Sequence, residues 1–200
     1  MVYSDFKLNE VINNFGLTIN EKSGLFADIE EEECSDLLTT ILTENIDLAI
    51  AINTEKARSE MIISPILLEI RRKFNYIGLF SGIDFNVEPQ KGLNGFCDFM
   101  ISLSKEQLFV RAPVITLLVE SKNENLKAGL GQCVAEMIAA QLFNEQQNNS
   151  IKTIYGVITI GTIWQFLKLE DKIIYIDLSE FYIKDIKKIL GILSSAIRQQ

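Results

Sequence analysis

The sequence predicts a mixed α/β domain, a central β-sheet flanked by helices, and three observations carry that expectation. Helical periodicity up to about residue 74 gives way to strand-like apolar runs between residues 79 and 119. A second helical stretch follows, and β-branched segments then return from residue 153 before a last amphipathic helix. Helix, three strands, helix, strands, helix, in that order within 200 residues, implies one mixed sheet with helices packed on it.

Each element has a local reason. A short helix is expected near Lys7 to Asn14, a strand at Leu17-Thr18-Ile19, and a helix from Ser35, a residue suited to capping, with Asp36 favourable in the first turn. These belong to residues 1–50, read as an N-terminal helical extension packed on the core formed by residues 51–200. A long helix should run from Thr54 to Phe74, with Pro65 kinking it or starting a new one. Strands follow at Leu79 to Val87, around Phe96-Cys97-Asp98-Phe99-Met100-Ile101, and at Val114 to Val119. Ala128, Val134, Ala135, Ile138, Ala139 and Leu142 give a helix from Leu126 to Phe143. Strands at Thr153 to Ile160, Ile163 to Leu169 and Ile173 to Ile176 come next, and a helix from Glu180 to Ile197 closes the chain.

Composition restricts the chemistry. The chain has no histidine, which excludes imidazole bases, histidine nucleophiles and histidine metal ligands. Its three cysteines, Cys34, Cys97 and Cys133, are too widely spaced for a zinc motif and odd in number for a disulfide framework, so they read as free thiols. Cys97 is expected to point into the core, away from Asp98. No apolar run reaches membrane-spanning length, and the N-terminus lacks the basic start and apolar stretch of a secretory signal, so a cytoplasmic protein is expected. A net charge of −8 argues against a surface that coats nucleic acid indiscriminately, although it leaves room for a cleft of different character. Part of the excess sits in Asp28-Ile29-Glu30-Glu31-Glu32-Glu33, read as a solvated segment.

The residues that suggest chemistry are Asp98, inside an apolar strand, and Glu120-Ser121-Lys122, ending the next one. Glu120 and Lys122 are two apart and share a face if the strand continues, and an antiparallel neighbour brings Asp98 alongside them. A carboxylate among apolar side chains is costly unless it is paired, hydrogen-bonded or bound to a cation. A salt-bridged cluster satisfies that requirement as well as a metal site does. Gly129-Leu130-Gly131 reads as a flexible helix entry rather than a phosphate loop, and Tyr155 and Trp164 read as core aromatics rather than base-stacking platforms.

Asp98, then Glu120-Ser121-Lys122, then a helix carrying Gln132, in this order of elements, resembles the PD-(D/E)XK nuclease superfamily and its restriction endonuclease-like fold, in the form of a small stand-alone bacterial member. The likeness spans about residues 55 to 177; Cys97 stands where many relatives have proline before the first acid. The resemblance implies a metal-dependent phosphodiesterase acting on DNA, with Mg²⁺ or Mn²⁺ held by Asp98 and Glu120. It implies that Lys122 positions or helps deprotonate the attacking water. Glu60 or Glu69 would supply a further acid from the preceding helix, Glu60 being favoured, and Gln132 would orient Lys122 or the substrate, with Glu136 one turn further on. A homodimer is implied where both strands of a duplex are cut. Two other readings stay open: a catalytically inactive scaffold serving as a binding or assembly subunit, and a small-molecule-binding α/β protein in which the charged residues form a buried ion cluster.

Overall fold

A computed structural model describes residues 1–120, 125–149 and 151–199, with the Glu120 side chain excepted. Within it, eight strands form one open mixed sheet: β1 (Thr18–Lys22), β2 (Gly78–Asp84), β3 (Phe96–Ser102), β4 (Val114–Glu120), β5 (Thr153–Thr159), β6 (Ile163–Glu170), β7 (Ile173–Asp177) and the short β8 (Phe181–Tyr182). Their order is β1-β7-β6-β5-β4-β3-β2, with β8 paired to β6. β2, β3 and β4 form an antiparallel meander, β5 joins β4 in parallel, and β1 adds to the far edge parallel to β7.

Helices cover both faces. On one side lie α1 (Leu8–Phe15) and α5 (Leu126–Gln146), whose Val11, Leu130, Val134 and Met137 pack with Leu117 and Val119 of β4. On the other lie α2 (Asp36–Ile52), α4 (Ser64–Lys73) and α6 (Ile186–Arg198), whose Leu38, Leu67 and Leu193 pack with Ile115 and Leu118 of the same strand. β4 is therefore apolar on both faces, which accounts for its near-continuous hydrophobic run. The crossover from β4 to the parallel β5 runs through α5, as a parallel connection requires. The far end of α5 also fixes the start of β4: Asn144 accepts from Val114 N at 2.8 Å and donates to Val114 O at 2.7 Å.

Residues 1–50 take part in this architecture at three places. Tyr3, Phe6 and Val11 are buried in the α5 layer, β1 extends the sheet, and α2 enters the opposite layer. Ser35 caps α2 as expected, accepting from Leu38 N at 3.1 Å. A Cβ on Gly131 would lie 2.1 Å from the carbonyl oxygen of Phe6, so Gly131 lets the N-terminal backbone cross directly over α5. The adjoining loop is tied down at the other side by Asp177, fully buried, which accepts from Gly24 N, Phe26 N and Ser179 N.

Two expectations change. The stretch expected as one helix from Thr54 to Phe74 is α3 (Glu55–Arg58), a π-turn (Ser59–Ile63) and α4, without a break. Pro65 has no N–H to give to Met61 O one turn back, and Asn45 Nδ2 donates to that carbonyl instead, at 3.4 Å. The last helix starts at Ile186 rather than Glu180, because Phe181 packs its ring on Phe166 at 5.4 Å and the chain there pairs with β6. Gly131→Ala should push the N-terminal segment off α5, lowering stability by about 1–3 kcal/mol in denaturant unfolding and speeding amide exchange at Tyr3 and Phe6; unchanged stability and exchange would show that the crossing is loose.

Candidate active site

The structure places Asp98 in a cleft by breaking the regularity of β3. The pairs Ser81↔Phe99 and Ile83↔Cys97 are two residues apart on each strand, a spacing that ordinarily keeps one face. Yet Phe99 packs in the layer of α2, α4 and α6, whereas Cys97 and Ile83 pack in that of α5. The β2–β3 ladder turns over between these pairs, at Asp98 and at Gly82, whose φ of 59° glycine adopts without steric cost. Cys97 is driven fully inside, as expected, and Asp98 is left half-buried at the surface of the sheet.

Two adjoining cavities share Asp98 and Glu55. One, of about 350 Å³, is lined by Tyr3, Gly95, Phe96 and Gln132 together with that pair. The other, of about 400 Å³, adds Ser59, Glu60 and Ser81. Glu60 sits in the π-turn, an irregularity often found at functional sites. Its carboxylate is mostly exposed and lies 3.7 Å from Lys56 Nζ, an ion pair of the kind worth about 1 kcal/mol or less. Glu69, the other helix acid considered, lies elsewhere: it is buried, accepts from Ser35 N and Oγ at 3.2 and 2.9 Å, and pairs with Arg72.

Of the residues singled out from sequence, Asp98, Glu60, Gln132 and the backbone of Glu120 are thus located, the last closing β4, paired with Thr159 of β5. The Glu120 side chain and Lys122 lie outside the described residues. Among the described residues, no group of three or more histidine, cysteine or acidic side chains is placed to hold a metal ion. Glu55 was not singled out from sequence. Its signal was slight, a charged residue just after the cap Thr54, which accepts from Ala57 N at 3.1 Å.

Behind Gln132, one turn further along the helix as the sequence places it, lies a buried polar group. Glu136 is fully enclosed, and its Oε1 accepts from Gln132 Nε2 at 2.9 Å. Burial above all, with the negative charge of Asp98, pushes the Glu136 carboxyl well above the usual carboxylate range, against the hydrogen bonds from Gln132 and Cys97. Burial, reinforced by Glu136, also pushes the Cys97 thiol up, and burial raises Cys133 and Tyr3 in the same way. Thiols held protonated are poor nucleophiles, so burial makes Cys97 and Cys133 unsuited to thiolate chemistry.

No protein-family model matches this chain, and no curated protein matches it. Among the described residues no helix is long and apolar enough to cross a membrane.

The raised Glu136 carboxyl gives a test of the site's interior. In the unfolded chain this carboxyl titrates near 4.5 and in the fold well above it, so its proton is retained only by the folded state as pH rises past 4.5. Stability is then lost with rising pH, by up to about 1.4 kcal/mol per unit, until the folded-state value is reached. Glu136→Gln removes that loss, and its melting temperature should gain on the wild type progressively as pH rises above 4.5. A gap that does not vary with pH would mean that Glu136 is ionised in the fold.

Proposed function

We propose that the protein is a metal-dependent phosphodiesterase of the PD-(D/E)XK type, acting on DNA in the manner of an endonuclease. The observation that carries the reading is the turnover of the β2–β3 ladder, which brings Asp98 out of an otherwise apolar strand into a cleft shared with Glu60 and Gln132. The order of elements supports it as well: a helix, an antiparallel meander, a crossover helix and a parallel strand occur as the resemblance implies.

The donors suit a hard cation. Asp98 and Glu60 offer carboxylate oxygens, Glu120 would add a third, and the chain has no histidine to favour softer metals. Asp98 and Glu120 would hold Mg²⁺ or Mn²⁺, with Glu60 completing the shell directly or through water. Bound there, the cation would supply charge to polarise the scissile phosphate and stabilise the charge developing on it. Lys122 would position the attacking water or take up its proton, and Gln132 would line the opposite wall. Acting on a duplex, such a single site would need a homodimer to cut both strands.

A second reading, a catalytically inactive scaffold that serves as a binding or assembly subunit, draws on charge. The net charge is −8, the cleft carries Glu55, Glu60 and Asp98, and Lys56 beside it is paired with Glu60. Cleavage separates the two. With Mg²⁺ or Mn²⁺, the wild type should cut a panel of DNA substrates, and Asp98→Ala and Lys122→Ala should each reduce the rate by about a hundredfold or more while melting like the wild type. Wild-type rates in both variants would remove the assigned roles, and no turnover by the wild type on any substrate would favour the scaffold.

A further inference from the structure

Glu136 is an expensive residue for its position. Helix α5 carries Val134, Ala135, Met137, Ile138, Ala139 and Ala140 around it, all buried, and a methionine there would avoid the cost of enclosing a carboxyl group. Its surroundings offer little compensation. Among the described residues its Oε2 has no hydrogen-bond partner, Cys97 and Cys133 beside it have only weak thiol donors, and the nearby Tyr3 hydroxyl is committed to Phe85 O at 2.7 Å. Among the described residues the one amide donor Glu136 receives is Gln132, four residues earlier on the same helix face.

From the side of Gln132 the same bond has a directional consequence. A carboxamide has a donating end and an accepting end, and the bond to Glu136 uses the nitrogen. Gln132 lines the cavity that holds Asp98, and among the described residues its carbonyl oxygen has no donor and is not closed off from solvent. We infer that Glu136 is a positioning residue for this cleft: it anchors the Gln132 nitrogen inward, so that the Gln132 carbonyl oxygen is presented to the Asp98 cavity as a fixed acceptor. The inference rests on the proposed phosphodiesterase reading and sharpens it. A fixed acceptor there receives a hydrogen-bond donor, such as water on a hydrated cation or an ammonium group. It does not receive a phosphate oxygen, which it would repel.

The bond to Gln132 gives a use to a polar side chain with an acceptor oxygen at position 136. A freely rotating glutamine presents either end to the cavity, and roughly half its orientations offer an N–H to an anionic substrate. With its nitrogen bonded to Glu136 Oε1 behind it, Gln132 turns its accepting end toward the cavity. Glutamine at position 136 retains an acceptor oxygen, whereas methionine retains the volume and loses the acceptor, so the two substitutions separate hydrogen bonding from packing.

The experiment has two readouts on the same proteins. In the metal-free protein, the side-chain ¹⁵NH₂ resonances of Gln132 should be well separated and slow to exchange in the wild type and Glu136→Gln. They should move to free-amide positions in Glu136→Met. With Mg²⁺ and a cleavable DNA, Glu136→Met should lower kcat by about tenfold to a hundredfold with little change in KM. Glu136→Gln should restore most of the rate, and Gln132→Ala combined with Glu136→Met should cost no more than Gln132→Ala alone. An unchanged Gln132 amide in Glu136→Met overturns the proposal, as does wild-type kcat in a variant whose amide has come free. A wild type that cleaves nothing, even with an ordered Gln132 amide, overturns the phosphodiesterase reading and the positioning role with it.

Discussion

A strand covered on both faces can bring a charged side chain to solvent only where it ends or where its alternation breaks. The central strands of this sheet are under that constraint, because helices close off both sides of β4 and β5. β3 meets it by turning over. Two residues apart, Phe99 and Cys97 pack in opposite layers, and Asp98 between them comes to the surface instead of being buried without a counterion. Gly82 on the paired strand makes the turnover sterically inexpensive, since a positive φ there would strain most other residues. The place of Asp98 in the cleft follows from that one irregularity.

The N-terminal segment shapes the same region. Tyr3 lines the cavity of Asp98 and Gln132, and the backbone at Phe6 crosses α5 where Gly131 leaves no side chain in the way. One wall of the cleft is thus supplied from outside the stretch of residues 55 to 177 on which the family likeness rests. Glu55 and Glu60 come from the segment around the π-turn, whose widened ladder answers the missing N–H of Pro65. Irregular backbone therefore lies on two sides of the site, in the strand pair and in the helix facing it.

Much of the fold was legible in the sequence because its signals are local. β-branched runs, the Ser35 cap and the apolar helix before the last strands require only neighbours along the chain to be read, and the element order then implies a mixed sheet. What was not legible depends on contacts distant in sequence. Phe181 and Tyr182 look helical until β6 is there to pair with them. Glu69 and Glu60 look alike as helix acids, and only the packing of Ser35 against Glu69 removes one of them from the cleft. Glu136 was the most misleading: a helix apolar on every side is a buried helix, so an acid within it is enclosed, and the clue lay in its neighbours rather than in the residue itself.

The central claim is that the cleft at Asp98 accepts a hard divalent cation through carboxylate oxygens. Its most direct test is calorimetric titration of Mn²⁺ into the wild type and into Asp98→Asn, which keeps the size of the side chain and removes its charge. Saturable binding by the wild type that weakens by about tenfold or more in the variant is the expected result. Binding of equal strength in both proteins, or none in the wild type, would contradict the claim.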